Sequence, residues 1–93
     1  MRPGEDIIIR GIKDLVEGKE TIDSLLVSIG APRLRRAGFS LPEGEFTSPE
    51  HRLYKKLHEL DPAGAHSQYN ALIRRLVSFE RSVECETERT AKR

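Results

Sequence analysis

The sequence predicts an all-α fold, a small helical bundle of four main helices plus one short connecting helix. Three observations lead there. Apolar residues recur at three- and four-residue spacing along most of the chain. Glycines and prolines separate these periodic stretches at helix-length intervals. One run from Ala65 to Val83 keeps the period for five successive steps. With 93 residues there is room for one compact domain, expected over 1–84, and residues 85–93 read as a polar tail that frays or is disordered.

The first helix is expected over 5–17, from Ile8, Ile12 and Leu15 flanked by Ile9 and Val16. Glu5 and Asp6 suit the positive end of its dipole, and Gly18 is a stop. Gly11 lies inside it and weakens it by about 1 kcal/mol relative to alanine. The run Ile7-Ile8-Ile9 also has strand character.

A second helix is expected over 19–29. Ile22, Leu25, Leu26 and Ile29 form its apolar face, and Gly30 ends it. Pro32 then opens the short connecting helix, 32–37, closed by Gly38. Residues 39–48 have no period. Pro42 and Gly44 mark a turn there, and Phe39, Leu41 and Phe46 are expected to pin the loop onto the helices.

Thr47-Ser48-Pro49-Glu50 predicts an N-cap with a capping-box glutamate three residues after Thr47. The helix it starts runs to about Leu60, with Leu53, Tyr54, Leu57 and Leu60 facing inward. Asp61-Pro62 breaks the chain before the last helix, expected from about 62 to 84. Its seam of Ala65, Tyr69, Leu72, Leu76, Phe79 and Val83 has the spacing of a packed helix, widened by Ile73 and Val77.

The composition excludes several function classes. The 16 basic and 15 acidic side chains leave a net charge of +1, no global case for nucleic acid or an anionic membrane. The one cysteine, Cys85, allows no intrachain disulfide. The run Ile7-Ile8-Ile9 behind Glu5 and Asp6 is neither a signal peptide nor a membrane span, so a reducing, cytoplasmic setting is expected. The chain has three histidines, of which His51 and His58 are about 10.5 Å apart along a helix, too far to share a zinc ion at about 2 Å. No metal, cofactor or catalytic residue is assigned, and the serines lack a Gly-x-Ser-x-Gly elbow.

Local charge is the stronger lead. Arg33, Arg35 and Arg36 cluster early, and Arg52, Lys55 and Lys56 lie on the next helix. Arg74 and Arg75 sit in a stretch, Pro62 to Phe79, without an acidic residue. On one side of the fold these eight would make a face able to hold phosphates. Ser24 to Gly38 loosely resembles a helix-turn-helix, but its second helix is too short to read a groove.

The stretch Arg52-Leu53-Tyr54-Lys55-Lys56-Leu57-His58 resembles the Arg/His pair of the HEPN family of helical ribonucleases and nucleotide-binding domains. The resemblance covers seven residues. Leu53 stands where that family usually has a polar residue, and HEPN domains are generally longer. It implies a phosphate-orienting role for Arg52 and a proton-transfer role for His58. Spacing by itself puts the two at unmatched angles on a straight helix.

The leading expectation is a non-enzymatic module acting through a protein partner or a homodimer in a regulatory role. Phe39, Phe46, Tyr69 and Phe79 are the candidate anchors, because aromatic side chains concentrate binding energy at interfaces. A nucleic-acid-binding module using the eight basic residues is second, and a HEPN-like enzyme third.

Overall fold

The computed structural model describes residues 4–42 and 46–91. Four helices follow one another: α1 (Glu5–Val16), α2 (Ile22–Arg36), α3 (Pro49–Leu60) and α4 (Ala65–Ala91). No strand occurs among the described residues, so Ile7-Ile8-Ile9 is helical. The fold is all-α, as the periodicity predicts.

α2 is the central element, packed against α1, α3 and α4, while α3 also packs on α4. Its position explains why Ser24 through Ser28 are all buried, which an amphipathic surface helix would not allow. The core joins Ile7, Ile8 and Leu15 of α1, Leu25, Leu26, Val27 and Leu34 of α2, Leu53 and Leu57 of α3, and Ala65, Leu76, Phe79 and Val83 of α4. The expected seam of α4 is this inner face, with Tyr69 and Leu72 packed at its edge. Phe39, Leu41 and Phe46 pin the connecting segment onto the core, and Phe39 lies 5.5 Å from Phe79, ring to ring. Gly44, expected in the turn, lies outside the described residues.

Glycines lie at two helix crossings. A Cβ on Gly11 would lie 2.5 Å from Val27 Cγ2 and 2.9 Å from the Asp23 carbonyl carbon, and closer still to that carbonyl oxygen. A Cβ on Gly30 would meet Leu76 Cδ1 at 2.8 Å and Glu80 Oε2 at 3.0 Å. Glycine is what lets α1 rest on the backbone of α2 at these distances, while the atoms facing Gly30 are the ends of flexible side chains.

Four sequence expectations need correction. The second helix and the short connecting helix are one helix, α2, with Pro32 inside it. Gly30 does not stop it but forms the contact with α4. Val27, Ala31 and Leu34 continue one buried stripe past the proline, each 0 % exposed. Burying that stripe outweighs the cost of a proline in a helix interior, about 3 kcal/mol. The start of α2 carries the capping box: Thr21 Oγ1 accepts from the Ser24 N–H at 3.1 Å, and the Thr21 N–H donates to Ser24 Oγ at 2.8 Å.

The capping box expected at Thr47 and Glu50 does not form. Pro49 takes the first helical position, so Ser48 becomes the N-cap, in the left-handed region at φ 46°, without a side-chain cap bond. On α3 only Leu53 and Leu57 are buried. Tyr54 is 39 % and Leu60 70 % exposed, because Tyr54 is turned about 100° from Leu53 and Leu60 is the last residue of the helix.

The last helix starts at Ala65, not near 62. Asp61 to Gly64 form a turn in which the Gly64 N–H donates to the Asp61 carbonyl at 3.2 Å. α4 also runs beyond residue 84 to Ala91. Elongating a formed helix costs little per residue, and Glu86, Glu88, Arg89 and Ala91 among the added residues are good helix formers. Lys92 and Arg93 lie outside the described residues. Its 27 residues span about 40 Å and set the long axis of a body 48 × 26 × 21 Å.

Candidate functional site

The outer side of α3 carries a cluster of charged side chains. Arg52, Lys55, Lys56 and Glu59 stand at i, i+3, i+4 and i+7, on one stripe away from Tyr54. With His51 and Glu20 they line an open cleft of about 390 Å³. Glu20 comes from the segment before α2, and its Oε1 accepts from Arg52 NH1 at 2.6 Å. Arg52 NH2 also donates to Thr47 Oγ1 at 3.5 Å. Arg52 is therefore already engaged with a carboxylate. Lys55 and Lys56 have no ion pair among the described residues.

The remaining basic residues are elsewhere. Arg33 makes a two-pronged bond to Glu84 of α4, Nε to Oε2 at 2.8 Å and NH2 to Oε1 at 2.6 Å, and reaches Glu80 Oε1 from NH1 at 3.3 Å. Arg35 NH2 donates to the Pro42 carbonyl at 2.9 Å. Arg36 is exposed at the end of α2 and contributes positive potential at Glu84. Arg74 and Arg75 are exposed on α4. Glu20 precedes α2 and Arg33 lies near its end, so the Arg33 and Arg52 groups are anchored about 18 Å apart along that helix. Of the eight predicted basic residues, the cleft brings together Arg52, Lys55 and Lys56.

The Arg33 bridge is structural chemistry. Glu80 is 4 % exposed, and burial pushes its carboxyl above the usual glutamate range while Arg33 pulls the other way. Glu84 is shifted downward, first by its hydrogen bonds from Arg33. The bridge ties α2 to α4 beside the Gly30 contact.

The predicted anchors are committed to the fold. Phe79 is 1 % exposed, while Phe39, Phe46 and Tyr69 are half-buried. Tyr69 packs edge-on against Tyr54 at 5.9 Å, and burial raises its pKa, helped by the charge of Glu50. The large apolar side chains left exposed are Ile9 and Val16 on α1, with Tyr54 and Leu60 on α3.

Arg52 and His58 are both on α3 but about 120° apart around its axis. Arg52 turns to Glu20, and His58 stacks on Tyr54 at 6.4 Å between rings. The two side chains thus have different neighbours.

Sequence pattern alone does not mark Glu20, His51 or Glu59 as members of this cleft. Glu59 was legible as the fourth member of the α3 stripe. Glu20 is 32 residues from Arg52 and enters only through packing. Among the described residues no group of three His, Cys, Asp or Glu side chains could hold a metal ion, and no helix is long and apolar enough to cross a membrane. Cys85 is exposed. Comparison of the chain with protein-family models, curated proteins and solved structures finds no match.

Proposed function

We propose that this chain is a non-enzymatic binding module that holds an acidic partner protein on the outer face of α3. The observation that carries the reading is the gathering of Arg52, Lys55 and Lys56 on one cleft, with both lysines outside any ion pair among the described residues. Cations outside an ion pair attract anionic partners, and cations on a helix keep their spacing. A second copy of the chain is a poor occupant, since two-fold pairing would set the same lysines against each other. Glu20 and Glu59 give the face mixed charge, which suits a protein surface better than the uniform charge of a duplex.

Crosslinking in extracts of the source cells, with wild type and a Lys55→Glu/Lys56→Glu variant, tests the reading. A partner crosslinked through α3 in wild type and lost in the variant is expected. An identical set of crosslinked proteins for both would overturn it.

Nucleic-acid binding is the second reading, favoured by the i, i+3, i+4 spacing of the three cations. Its contact set is smaller than the sequence offers, because Arg33 is bound to Glu80 and Glu84 and Arg35 to Pro42. Three phosphate contacts predict a log–log salt slope of about −2 on single-stranded RNA. Salt-independent or absent binding refutes it.

A further inference from the structure

We propose that the α3 cleft is a phosphoryl-binding site in which Glu20 occupies the arginine until the anion arrives. The inference rests on the reading that the outer face of α3 is the contact surface, and it names the group that face receives.

Arg52 shows what the cleft takes. Its guanidinium is bound by a carboxylate, Glu20, at 2.6 Å, with Thr47 Oγ1 as a weaker second acceptor. Glu20 is not a core residue. It lies in the segment between α1 and α2, and its side chain is 38 % exposed. It can leave without disturbing the buried contacts of α2. An incoming anion that replaces it would keep the arginine neutralised and gain the cations that Glu20 does not reach.

Those cations select the anion. Lys55 and Lys56 follow Arg52 by one turn on the same side of the helix, and His51 lines the same cleft. A single carboxylate is already matched by the arginine. A guanidinium fork beside two ammonium groups matches a compact dianion with three acceptor oxygens, which a phosphoryl group supplies. At rest Glu20 offsets the charge of Arg52, so a dianion that displaces it meets Arg52, Lys55 and Lys56 together, with Glu59 the one carboxylate left in the lining.

The test is an amide chemical-shift titration of the full chain with inorganic phosphate. Arms with a phosphoserine peptide and its unmodified serine counterpart separate a free ion from a group carried on a protein. The expected result is saturable shifts confined to the region of Glu20 and His51 to Glu59. Lys55→Gln/Lys56→Gln should weaken the affinity at least about threefold, the scale of two exposed charge contacts. Glu20→Gln should strengthen it by a similar factor, because a competitor leaves. Lys13→Gln, on α1, serves as the charge control and should leave it unchanged. Tighter binding of the phosphopeptide than of phosphate assigns the group to a partner protein, and equal binding assigns it to the free ion. Shifts that do not saturate, equal losses in Lys13→Gln, or weaker binding in Glu20→Gln would overturn the proposal. If phosphate fails while crosslinking to a partner still needs Lys55 and Lys56, the proposed function stands and only this inference falls.

Discussion

Replacing Gly11 by alanine sets two physical effects against each other, and the structure decides the sign. In an isolated helix the change stabilises α1 by about 1 kcal/mol. In the folded chain the new methyl lies 2.5 Å from Val27 Cγ2 and 2.9 Å from the Asp23 carbonyl carbon. Carbon atoms pack well at about 3.5–4.0 Å, so α1 must move off α2 by about 1 Å. The Asp23 obstacle is backbone inside a buried helix and cannot rotate away. Moving α1 also loosens Ile8 and Leu15, which are 1 % and 6 % exposed. Overpacking of this kind costs about 1–3 kcal/mol, and loosened side chains add to it. We expect Gly11→Ala to lose about 1–3 kcal/mol net. The assay is urea unfolding followed by far-ultraviolet circular dichroism, with the slope compared to confirm that the unfolded state is unchanged. A gain near 1 kcal/mol would refute the close crossing of α1 and α2.

Three further outcomes follow from the same contacts. Pro32→Ala should stabilise the chain by about 1–3 kcal/mol in thermal or urea unfolding, since Pro32 is exposed and interrupts a continuous α2; no gain would restore the break at Gly30. Ser24→Ala should cost about 1–2 kcal/mol, because Ser24 Oγ accepts from Thr21 and also donates to the Lys19 carbonyl at 2.7 Å, and an unchanged urea midpoint would argue against that network. The Arg33 bridge should give two opposed pH effects. Glu80, raised by burial, binds a proton more readily folded than unfolded, so its contribution grows as pH falls through its elevated value toward the unfolded one. Glu84, lowered by Arg33, contributes fully above the unfolded value, and that contribution is lost as pH falls through its folded one. In urea midpoints against pH, Glu80→Gln should remove the decline on the upper side and Glu84→Gln the decline on the acid side. Identical profiles for both variants would contradict the assignment.

Local pattern was enough for the fold class. Helical spacing in α1, α2 and α4 is written in adjacent residues, and the seam from Ala65 to Val83 is the face that the core uses. The same pattern misled where two local signals competed with packing. Gly30-Ala31-Pro32 reads as a stop and a start, and Thr47 to Glu50 reads as a capping box one residue out of register. Tyr54 and Leu60 read as inward because periodicity cannot say how wide a face the neighbours will cover.

The candidate site was half legible for a related reason. Arg52, Lys55 and Lys56 are visible as a stripe because a helix converts spacing into direction. Nothing in the chain distinguishes them from Arg33 or Arg35, which look equally available. Arg33 is taken by Glu80 and Glu84, far along the sequence on α4, and Arg35 by the Pro42 carbonyl.

The sequence by itself determined that the chain is helical and where most apolar faces lie, because backbone hydrogen bonding and side-chain period are local. Only the tertiary structure decided that α2 runs through Pro32, that Gly11 and Gly30 are crossing points, and which cations remain outward. Those outcomes depend on what each residue meets across the core, and burial there outweighs local preferences of about 1–3 kcal/mol.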